Sequence, residues 1–414
     1  MAKKTAYETA MEQLDLVGKR MGLSETVIEQ LREPERSLKV RFPVRMDDGK
    51  VKTFTGYRVQ HNSALGPTKG GTRIHPEESY QDVVALSFWM TIKNALAGIP
   101  AGGAKGGIVA DTLKLSDSEL ERVCRKYVRE IRLVMGTRKD IPGPDIGTPQ
   151  KIMGWFIDEY EQCLGEHEPG ALAGKPPLLG GSLARNKATG TGLVYVLERY
   201  LGLQGEKVEG KTVAVQGFGN LGGTAAQILE SKGAKVIGIA DVSGAWYNPA
   251  GMNVRDGREY AAQNKVLSGW AGGDVISMEE FFALDCDVLI PAAIQSQIRG
   301  DNVEQVKAKI VIEGANGPTT PEAEEYLLGH GVVLIPDIVA NVGGAVTSYF
   351  EMVQDLYMYF WSEAEVLERL QKHMVGVFDG VWQVAQEKGV PLRIAAWMIA
   401  LDKIVQAMEM RGRF

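Results

Sequence analysis

The sequence predicts an α/β protein in which an N-terminal α/β domain is followed by a second domain built around a doubly wound parallel sheet. Three observations support this prediction. The chain has 414 residues, more than one ordinary core supports. Short buried strands alternate with helical segments through its second half, and a glycine-rich turn joins a strand to a helix there. The composition, 44% hydrophobic and 24% charged, is typical of a globular protein.

The glycine-rich turn is the most specific signal in the second half. A buried strand, Thr212–Gln216, precedes it, a helical segment follows it, and the next strand ends at Asp241. Glycines at this spacing permit a tight turn and bring a helix N-terminus to a pyrophosphate, and the acid accepts the ribose hydroxyls. The residues predicted to contact a dinucleotide are Gly217, Phe218, Gly219, Asn220, Leu221, Gly222 and Asp241.

Three more strand-like runs follow this turn, beginning at Asp287, Lys309 and Val332, with helical intervals between them. Together they predict a Rossmann-type domain. A domain of this fold that binds no nucleotide is the alternative.

The first half contains two glycine-flanked lysines, each in a stretch that the glycines predict to be a turn. Lys69 stands beside two glycines, and Lys105 lies in the small-residue run between a helix and the strand-like residues 107–111. Lys93 shares a helix face with Met90 and other apolar residues, where an ammonium group is costly unless it is paired. The sequence therefore predicts that these lysines face one anion site, although each of them is also compatible with an ordinary solvated lysine.

A constrained loop, residues 140–148, holds a further candidate. Asp145 is fixed there between prolines and a glycine, just ahead of a helix for which Thr148 and Pro149 are the expected N-cap and first residue. By itself the pattern favours a turn or capping aspartate over a catalytic one.

Charge and composition exclude several classes of protein. The net charge of -6 argues against nucleic acid as a partner, and no apolar run reaches membrane-spanning length. The start of the chain lacks the apolar segment of a signal peptide, and three widely spaced cysteines suggest reduced thiols in the cytoplasm. The five histidines have no metal-ligand spacing, so no metal site is expected.

Proline- and glycine-rich residues 168–182 predict a connection between domains, and helical periodicity runs from residue 343 to the end. The predicted domains are a substrate-binding and oligomerisation domain, 1–180, a dinucleotide-binding domain, 181–345, and C-terminal helices, 346–414, that pack back on the first domain.

Motifs spread along the chain, taken together, resemble the glutamate dehydrogenases of the amino-acid dehydrogenase superfamily. They are Lys69-Gly-Gly-Thr-Arg73, Lys93-Asn94, Gly102-Gly-Ala-Lys-Gly-Gly107, Pro142-Gly-Pro-Asp145, Ala188-Thr-Gly190, Gly217-Phe-Gly-Asn220, Glu313-Gly-Ala-Asn316 and Asn341-Val-Gly-Gly-Ala-Val-Thr-Ser348. The resemblance implies a homohexamer that interconverts L-glutamate with 2-oxoglutarate and ammonia, using NAD or NADP.

The resemblance also implies residue roles. Lys105 corresponds to the catalytic lysine and Asp145 to the aspartate that carries protons to and from the amino nitrogen. Lys93, with Met90 and the backbone of Pro144, corresponds to the α-carboxylate pocket. Four further positions correspond to cofactor contacts or lie near the nicotinamide: Thr189, Asn220, Asn316 and Asn341.

Charge then indicates the substrate. Lys69 and Ser348 stand where the leucine, valine and phenylalanine enzymes of the superfamily carry apolar residues, and an ammonium with a hydroxyl suits a γ-carboxylate. Asp241 should repel a 2′-phosphate, which favours NAD, although NADP stays possible. The alternatives are a branched-chain or aromatic amino-acid dehydrogenase and a catalytically silent nucleotide-binding subunit.

Overall fold

The structure, a computed structural model, describes residues 5–414, and its contacts divide them into two units. The first unit runs to Arg185 and includes Ala345–Val366 and Trp397–Phe414, and the second comprises Asn186–Gly344 and Leu367–Ala396. The predicted C-terminal segment, 346–414, is thus divided between the units, and the functional domain limits stay a prediction. Within the described residues, every helix is too short or too polar to cross a bilayer.

The elements up to Arg185 are α1 (Ala6–Met21), α2 (Glu25–Arg32), β1 (Arg36–Arg45), β2 (Val51–Asn62), β3 (Thr68–His75), α3 (Tyr80–Leu96), β4 (Gly102–Val109), α4 (Asp117–Ile131), β5 (Asp140–Pro144) and α5 (Gln150–Leu164). Those that follow are α6 (Ala188–Leu203), β6 (Thr212–Gln216), α7 (Asn220–Ser231), β7 (Lys235–Asp241), β8 (Gly244–Tyr247), α8 (Val254–Asn264), β9 (Asp274–Ile276), α9 (Met278–Phe282), β10 (Val288–Pro291), β11 (Ile310–Ile312), α10 (Pro321–Gly329), β12 (Val333–Ile335) and α11 (Asp337–Ala340). The last three helices are α12 (Gly343–Tyr357), α13 (Glu363–Lys388) and α14 (Leu392–Met410).

A five-stranded mixed sheet, in the order β1-β2-β4-β3-β5, organises the first unit. β1 and β2 form an antiparallel hairpin, closed by a turn in which Gly49 has φ 82°. One face of the sheet packs against α4 and α5 through a core that includes Phe42, Tyr127 and Phe156. α3 covers the other face of β4, which places the helix of Lys93 beside the strand of Lys105.

The two glycine-flanked lysines lie in strands rather than in loops. Lys69 is in β3 and Lys105 is in β4, although the sequence suggested a glycine-rich turn at each. The glycines are needed because the backbones approach closely: a Cβ on Gly103 would lie 2.2 Å from the Thr91 amide nitrogen of α3. Glycine is therefore needed here for close packing, whereas local sequence rules treat a glycine as a residue that interrupts regular structure.

Residues Asp140–Pro144, predicted as a loop, also form a strand. β5 lies at the edge of the sheet and pairs with β3 alone, so the missing N–H groups of Pro142 and Pro144 cost no ladder hydrogen bond on the open side.

A seven-stranded sheet, in the order β12-β11-β10-β6-β7-β8-β9, organises the second unit and confirms the predicted α/β doubly wound class. The strands from β12 to β7 are parallel, and the chain order reverses at β6. β8 and β9 add an antiparallel edge that the sequence did not predict. The reversal at β6 is the point at which such sheets bind ligands, and the glycine turn begins there.

Candidate active site

Lys105 and Asp145 form the central pair of the first unit. The Lys105 ammonium donates a hydrogen bond to Oδ2 of Asp145, and both side chains are largely buried, with 7% and 17% exposed. β4 carries the lysine, and the aspartate follows the last residue of β5. Because β3 lies between these two strands, its Gly71 must be small: a Cβ there would lie 3.0 Å from Asp145 Cβ.

A tight turn after β5 fixes Asp145. Its amide donates to Thr148 Oγ1 at 2.7 Å, and the Thr148 hydroxyl donates to the carbonyl of Thr72 in β3. Oδ1 of Asp145 accepts the amide of Ile146. The prediction that Thr148 caps the following helix is wrong: Pro149 is the N-cap, without a side-chain cap, because the threonine hydroxyl is used to hold the aspartate turn.

The surroundings of Asp145 keep it ionised. Burial alone would raise its pKa, but Lys105 and Arg73 outweigh burial, so the pKa lies below its ordinary value. Arg73 Nε is 3.6 Å from Asp145 Oδ1. The pair therefore consists of a lysine held against a carboxylate that a second cation supports.

A second cluster gathers around Lys69. This lysine is 5% exposed, and burial, followed by the nearby Arg185 guanidinium, lowers its pKa to about 7. Arg185 Nε donates to the hydroxyl of Ser348 in α12 at 2.9 Å. Two cations and a hydroxyl that share a buried region are suited to bind a carboxylate.

The residues predicted for the α-carboxylate pocket also belong to the first unit: Met90, Lys93 and Pro144. Met90 and Lys93 lie one turn apart on α3, and Met90 Cγ would be 3.4 Å from a Cβ on Gly70 of β3. Pro144 pairs with Thr72 at the end of β5. Asn94, which follows Lys93 on α3, is fully buried. Its side chain donates to the carbonyls of Lys69 and Gly102 and so holds α3 against β3 and β4.

A buried network of ion pairs involves the residues that follow Ser348 on α12. Lys175 is fully buried and donates to Glu351 at 2.8 Å and to Asp355 at 2.7 Å. Glu351, one turn after Ser348 on α12, also accepts the amides of Gly174 and Lys175. The network fixes α12, and therefore the Ser348 hydroxyl, against the loop that leads to Arg185.

The glycine turn of the second unit fits a dinucleotide. Gly217 has φ 91° and would clash with Ala292 if it carried a Cβ, and a Cβ on Gly222 would lie 1.9 Å from the Gly217 carbonyl. Gly219, the N-cap of α7, has nothing within 4 Å of a built Cβ. Two glycines thus serve the turn and the packing, and the third leaves the helix N-terminus open to a phosphate. Phe218, Asn220 and Leu221 complete this turn.

Asp241 ends β7, the strand next to β6. One carboxylate oxygen accepts from the amide and hydroxyl of Ser243, and the other accepts from the Leu267 amide at 2.7 Å. These donors fix an anion where a bound dinucleotide would present its ribose.

Three other predicted cofactor residues also belong to this unit. Thr189 lies in the first turn of α6, where a Cβ on Gly190 would be 2.5 Å from the Leu221 carbonyl, so α6 touches the glycine turn. Asn341 donates to Asn316 Oδ1 at 3.0 Å and to the carbonyl of Gly314. The two asparagines thus hold one loop at the end of β11.

A buried arginine supports that loop. Arg393 donates to Glu313, Glu324 and Asp337 at 2.7 to 2.9 Å. Glu313 is fully buried, and burial raises its pKa to about 7 despite Arg393. Its Oε2 also accepts the Asp337 amide, which ties the loops after β11 and β12 together.

Sequence reasoning missed Arg185 and gave no role to Arg73. Arg185 stands at the end of the connecting segment, without periodicity or a motif of its own, and only its contact with Ser348 reveals it. Arg73 lay within a recognised motif, but its position beside Asp145 depends on the pairing of β3 with β5. Among residues 5–414 no group of His, Cys, Asp or Glu side chains is arranged to hold a metal.

Comparisons with known proteins agree with this geometry. Residues 180–412 match the Glutamate/Leucine/Phenylalanine/Valine dehydrogenase family, and residues 34–162 match the Glu/Leu/Phe/Val dehydrogenase dimerisation domain. A glutamate dehydrogenase of Thermotoga maritima is 45% identical over 413 residues, covering 100% of this chain and 99% of the relative. The NAD-specific glutamate dehydrogenase of Staphylococcus aureus (strain COL) is 44% identical over 396 residues, covering 95% of each chain.

Among solved structures, the hetero-hexameric glutamate dehydrogenase from Thermus thermophilus, in a Leu-bound form, superposes with a TM-score of 0.93. It is 40% identical in sequence, and the match covers 98% of this chain and 97% of that one. The family matches, the full-length relatives and the paired site residues lead to one conclusion. This chain belongs to the Glu/Leu/Phe/Val dehydrogenase family.

Proposed function

We propose that this chain is a glutamate dehydrogenase that reversibly converts L-glutamate, NAD and water into 2-oxoglutarate, ammonia and reduced NAD. The observation that carries the proposal is the Lys105–Asp145 pair in the same unit as the buried Lys69–Arg185–Ser348 cluster. The Lys105–Asp145 pair provides acid–base chemistry, and the cluster around Lys69 provides a site for the side-chain carboxylate of the substrate. The names of the full-length relatives support the same activity.

The substrate is bound through its two carboxylates. Lys93 binds the α-carboxylate in a pocket that Met90 and the backbone of Pro144 line. Lys69, Arg185 and Ser348 bind the γ-carboxylate, whose charge offsets the cost of burying Lys69 and part of Arg185. Binding at both ends orients Cα and its amino group.

Bound NAD supplies the acceptor for the hydride that leaves Cα. Asp145, kept ionised by its neighbours, takes and returns protons of the amino nitrogen. Lys105 activates a water molecule to attack the resulting iminium carbon, and Asp145 holds the lysine in position for that step. In reverse, Lys105 delivers protons to the carbonyl oxygen, which leaves as water, and Asp145 takes a proton from the nitrogen of the attacking ammonia and returns one to the amine after the hydride has reached Cα.

The cofactor is NAD. The Asp241 carboxylate, fixed by Ser243 and the Leu267 amide, disfavours the 2′-phosphate of NADP by charge repulsion. Relatives named NAD-specific support this choice.

The two alternative functions have less support. A branched-chain or aromatic amino-acid dehydrogenase would leave Lys69 and Arg185 buried against an apolar side chain, which is costly. A silent nucleotide-binding subunit has no chemical need for a buried Lys105–Asp145 pair.

Substrate preference tests the proposal. Purified protein should reduce NAD with L-glutamate and have at least about 100-fold lower kcat/KM with L-leucine, because an unpaired buried charge costs several kcal/mol. Lys69→Leu combined with Ser348→Val should reduce the preference for L-glutamate over L-leucine in kcat/KM, or reverse it. As a matched control, Lys151→Leu together with Ser231→Val changes exposed residues of the same types and should keep the wild-type preference. A wild-type protein that prefers leucine would contradict the assignment.

A hexamer in the cytoplasm is the expected state. The hetero-hexameric assembly of the Thermus thermophilus relative supports a hexamer, here proposed as a homohexamer, and three free cysteines support a reducing compartment. Light scattering should give about six times the 45.1 kDa chain mass.

A further inference from the structure

Glu78 is a buried carboxyl group for which the proposed mechanism has no use. It lies between β3 and α3, with 2% of its side chain exposed, and its Oε1 has no hydrogen-bond partner among the described residues. A Cβ on Gly107 of β4 would lie 2.7 Å from Glu78 Cγ. Because alternate residues of a strand share a face, Lys105 lies on the side of β4 that Glu78 covers.

Arg73 connects Glu78 to the central pair. Its Nε lies 3.8 Å from Glu78 Oε2 and 3.6 Å from Asp145 Oδ1. This nitrogen is buried and donates no hydrogen bond to either residue or to any other described one. The guanidinium is thus shared by two carboxylates and is held tightly by neither.

The charges around Glu78 place its ionisation near neutral pH. Burial raises the pKa of Glu78 to about 7, opposed by Arg73 on β3 and Lys105 on β4 and reinforced by Asp82 on α3 and by Asp145. The group therefore changes charge in the range in which such an enzyme works.

We propose that Glu78 is a positioning residue that competes with Asp145 for Arg73 and thereby sets the basicity of Asp145 during turnover. When Glu78 is ionised, it attracts the Arg73 guanidinium away from Asp145 and adds a neighbouring negative charge. Both effects make Asp145 a stronger base. When Glu78 is protonated, Arg73 serves Asp145 alone and weakens it as a base. The inference rests on the proposed function, in which Asp145 carries the protons.

Glu78→Gln tests this competition because it removes the charge and keeps the size. In wild type, kcat for L-glutamate should have an ascending limb near pH 7, where Glu78 loses its proton and makes Asp145 a stronger base, and Glu78→Gln should lack this limb. The kcat at pH 8 should fall several-fold, while KM changes less than twofold because the Lys69 cluster is untouched. Glu77→Gln, which neutralises the exposed neighbour, should give the wild-type profile.

Variants at Arg73 test the route. Arg73→Gln should shift the limb to higher pH, because Glu78 loses the cation that opposes its burial. In that background Glu78→Gln should lower kcat above the limb by a factor less than half as large as in the wild type. An undiminished loss of kcat there would show that Glu78 acts independently of Arg73 and would overturn the proposal.

Other outcomes are equally decisive. If Glu78→Gln and wild type superimpose, the inference is wrong although the proposed function stands; a wild-type protein without glutamate-dependent NAD reduction would instead remove the proposed function. Glu78→Asp keeps the charge and should keep the wild-type limb. If Glu78→Gln does not fold, as judged by thermal unfolding, Arg73→Gln alone decides, because an absent or downward shift contradicts the competition.

Discussion

At the scale of the residue, burial gives the charged side chains of the first unit their chemistry. Lys69 would carry a full positive charge in water at neutral pH, but burial and Arg185 bring its pKa to about 7. The opposite balance holds at Asp145, where Lys105 and Arg73 outweigh burial and keep the carboxylate ionised. Both pKa values are lowered, which favours the neutral form of Lys69 and the charged form of Asp145.

The pKa of Lys69 predicts how substrate affinity depends on pH. Below about pH 7 the free enzyme holds Lys69 as an ammonium, and above it the proton is lost, so a γ-carboxylate should bind more weakly as pH rises. The inhibition constant of glutarate, a dicarboxylate without an amino group to titrate, should rise about tenfold from pH 7 to pH 8.5. Lys69→Met should bind glutarate weakly and lose most of this dependence. A wild-type constant that is flat over this range would contradict the assignment.

At the scale of the element, backbone approach explains where the sequence misled. Local rules read the glycines around Lys69 and Lys105 as turns, because glycine is rare inside strands. The structure needs Gly103 so that α3 can approach β4 closely, and it needs Gly70 and Gly71 because a Cβ there would meet the carbonyls of Ala104 and Pro144. Both requirements depend on residues elsewhere in the chain. Motif matching nevertheless singled out both lysines. Their secondary structure was misjudged, and their roles stay predictions.

Gly103 tests this explanation. A Cβ there would lie 2.2 Å from the Thr91 amide and from its hydroxyl, so Gly103→Ala should destabilise the protein by about 2 kcal/mol or more. Gly376→Ala is the matched control, since it lies in α13 with nothing within 4 Å of its Cβ and should stabilise by about 0.5–1 kcal/mol. Urea unfolding measures both. Equal stability of Gly103→Ala and wild type would reject close packing as the reason for glycine.

At the scale of the whole molecule, sequence patterns predicted the units formed by residues that are close in sequence. The structure added the contacts between residues that are distant in sequence. The strand–glycine turn–helix unit at Gly217 and the alternating strands after it were sufficient to predict the doubly wound sheet. Arg185 and the Arg393 network could not be predicted, because each depends on residues far apart in sequence that only folding brings together. The same holds for Glu78, which folding places against Gly107 and near Asp145. The antiparallel β8–β9 edge was missed because both strands are very short.

The proposed reaction requires one pair of residues in the first unit, Lys105 and Asp145, to act on a substrate that the dinucleotide oxidises. If Lys105 and Asp145 have the proposed roles, removing the carboxylate charge should stop turnover and spare ligand binding. Asp117→Asn, at an exposed position of α4 with 81% of its side chain accessible, provides a control for the substitution itself.

The most direct measurement is the rate of NAD reduction by L-glutamate in wild type and Asp145→Asn, with 2-oxoglutarate binding measured alongside. Wild type and Asp117→Asn should turn over equally. Asp145→Asn should lose about 100-fold or more in kcat, the range of acid–base catalysis, and should bind 2-oxoglutarate within about threefold of wild type. An Asp145→Asn protein with the wild-type rate would show that Asp145 does not carry the protons of the reaction.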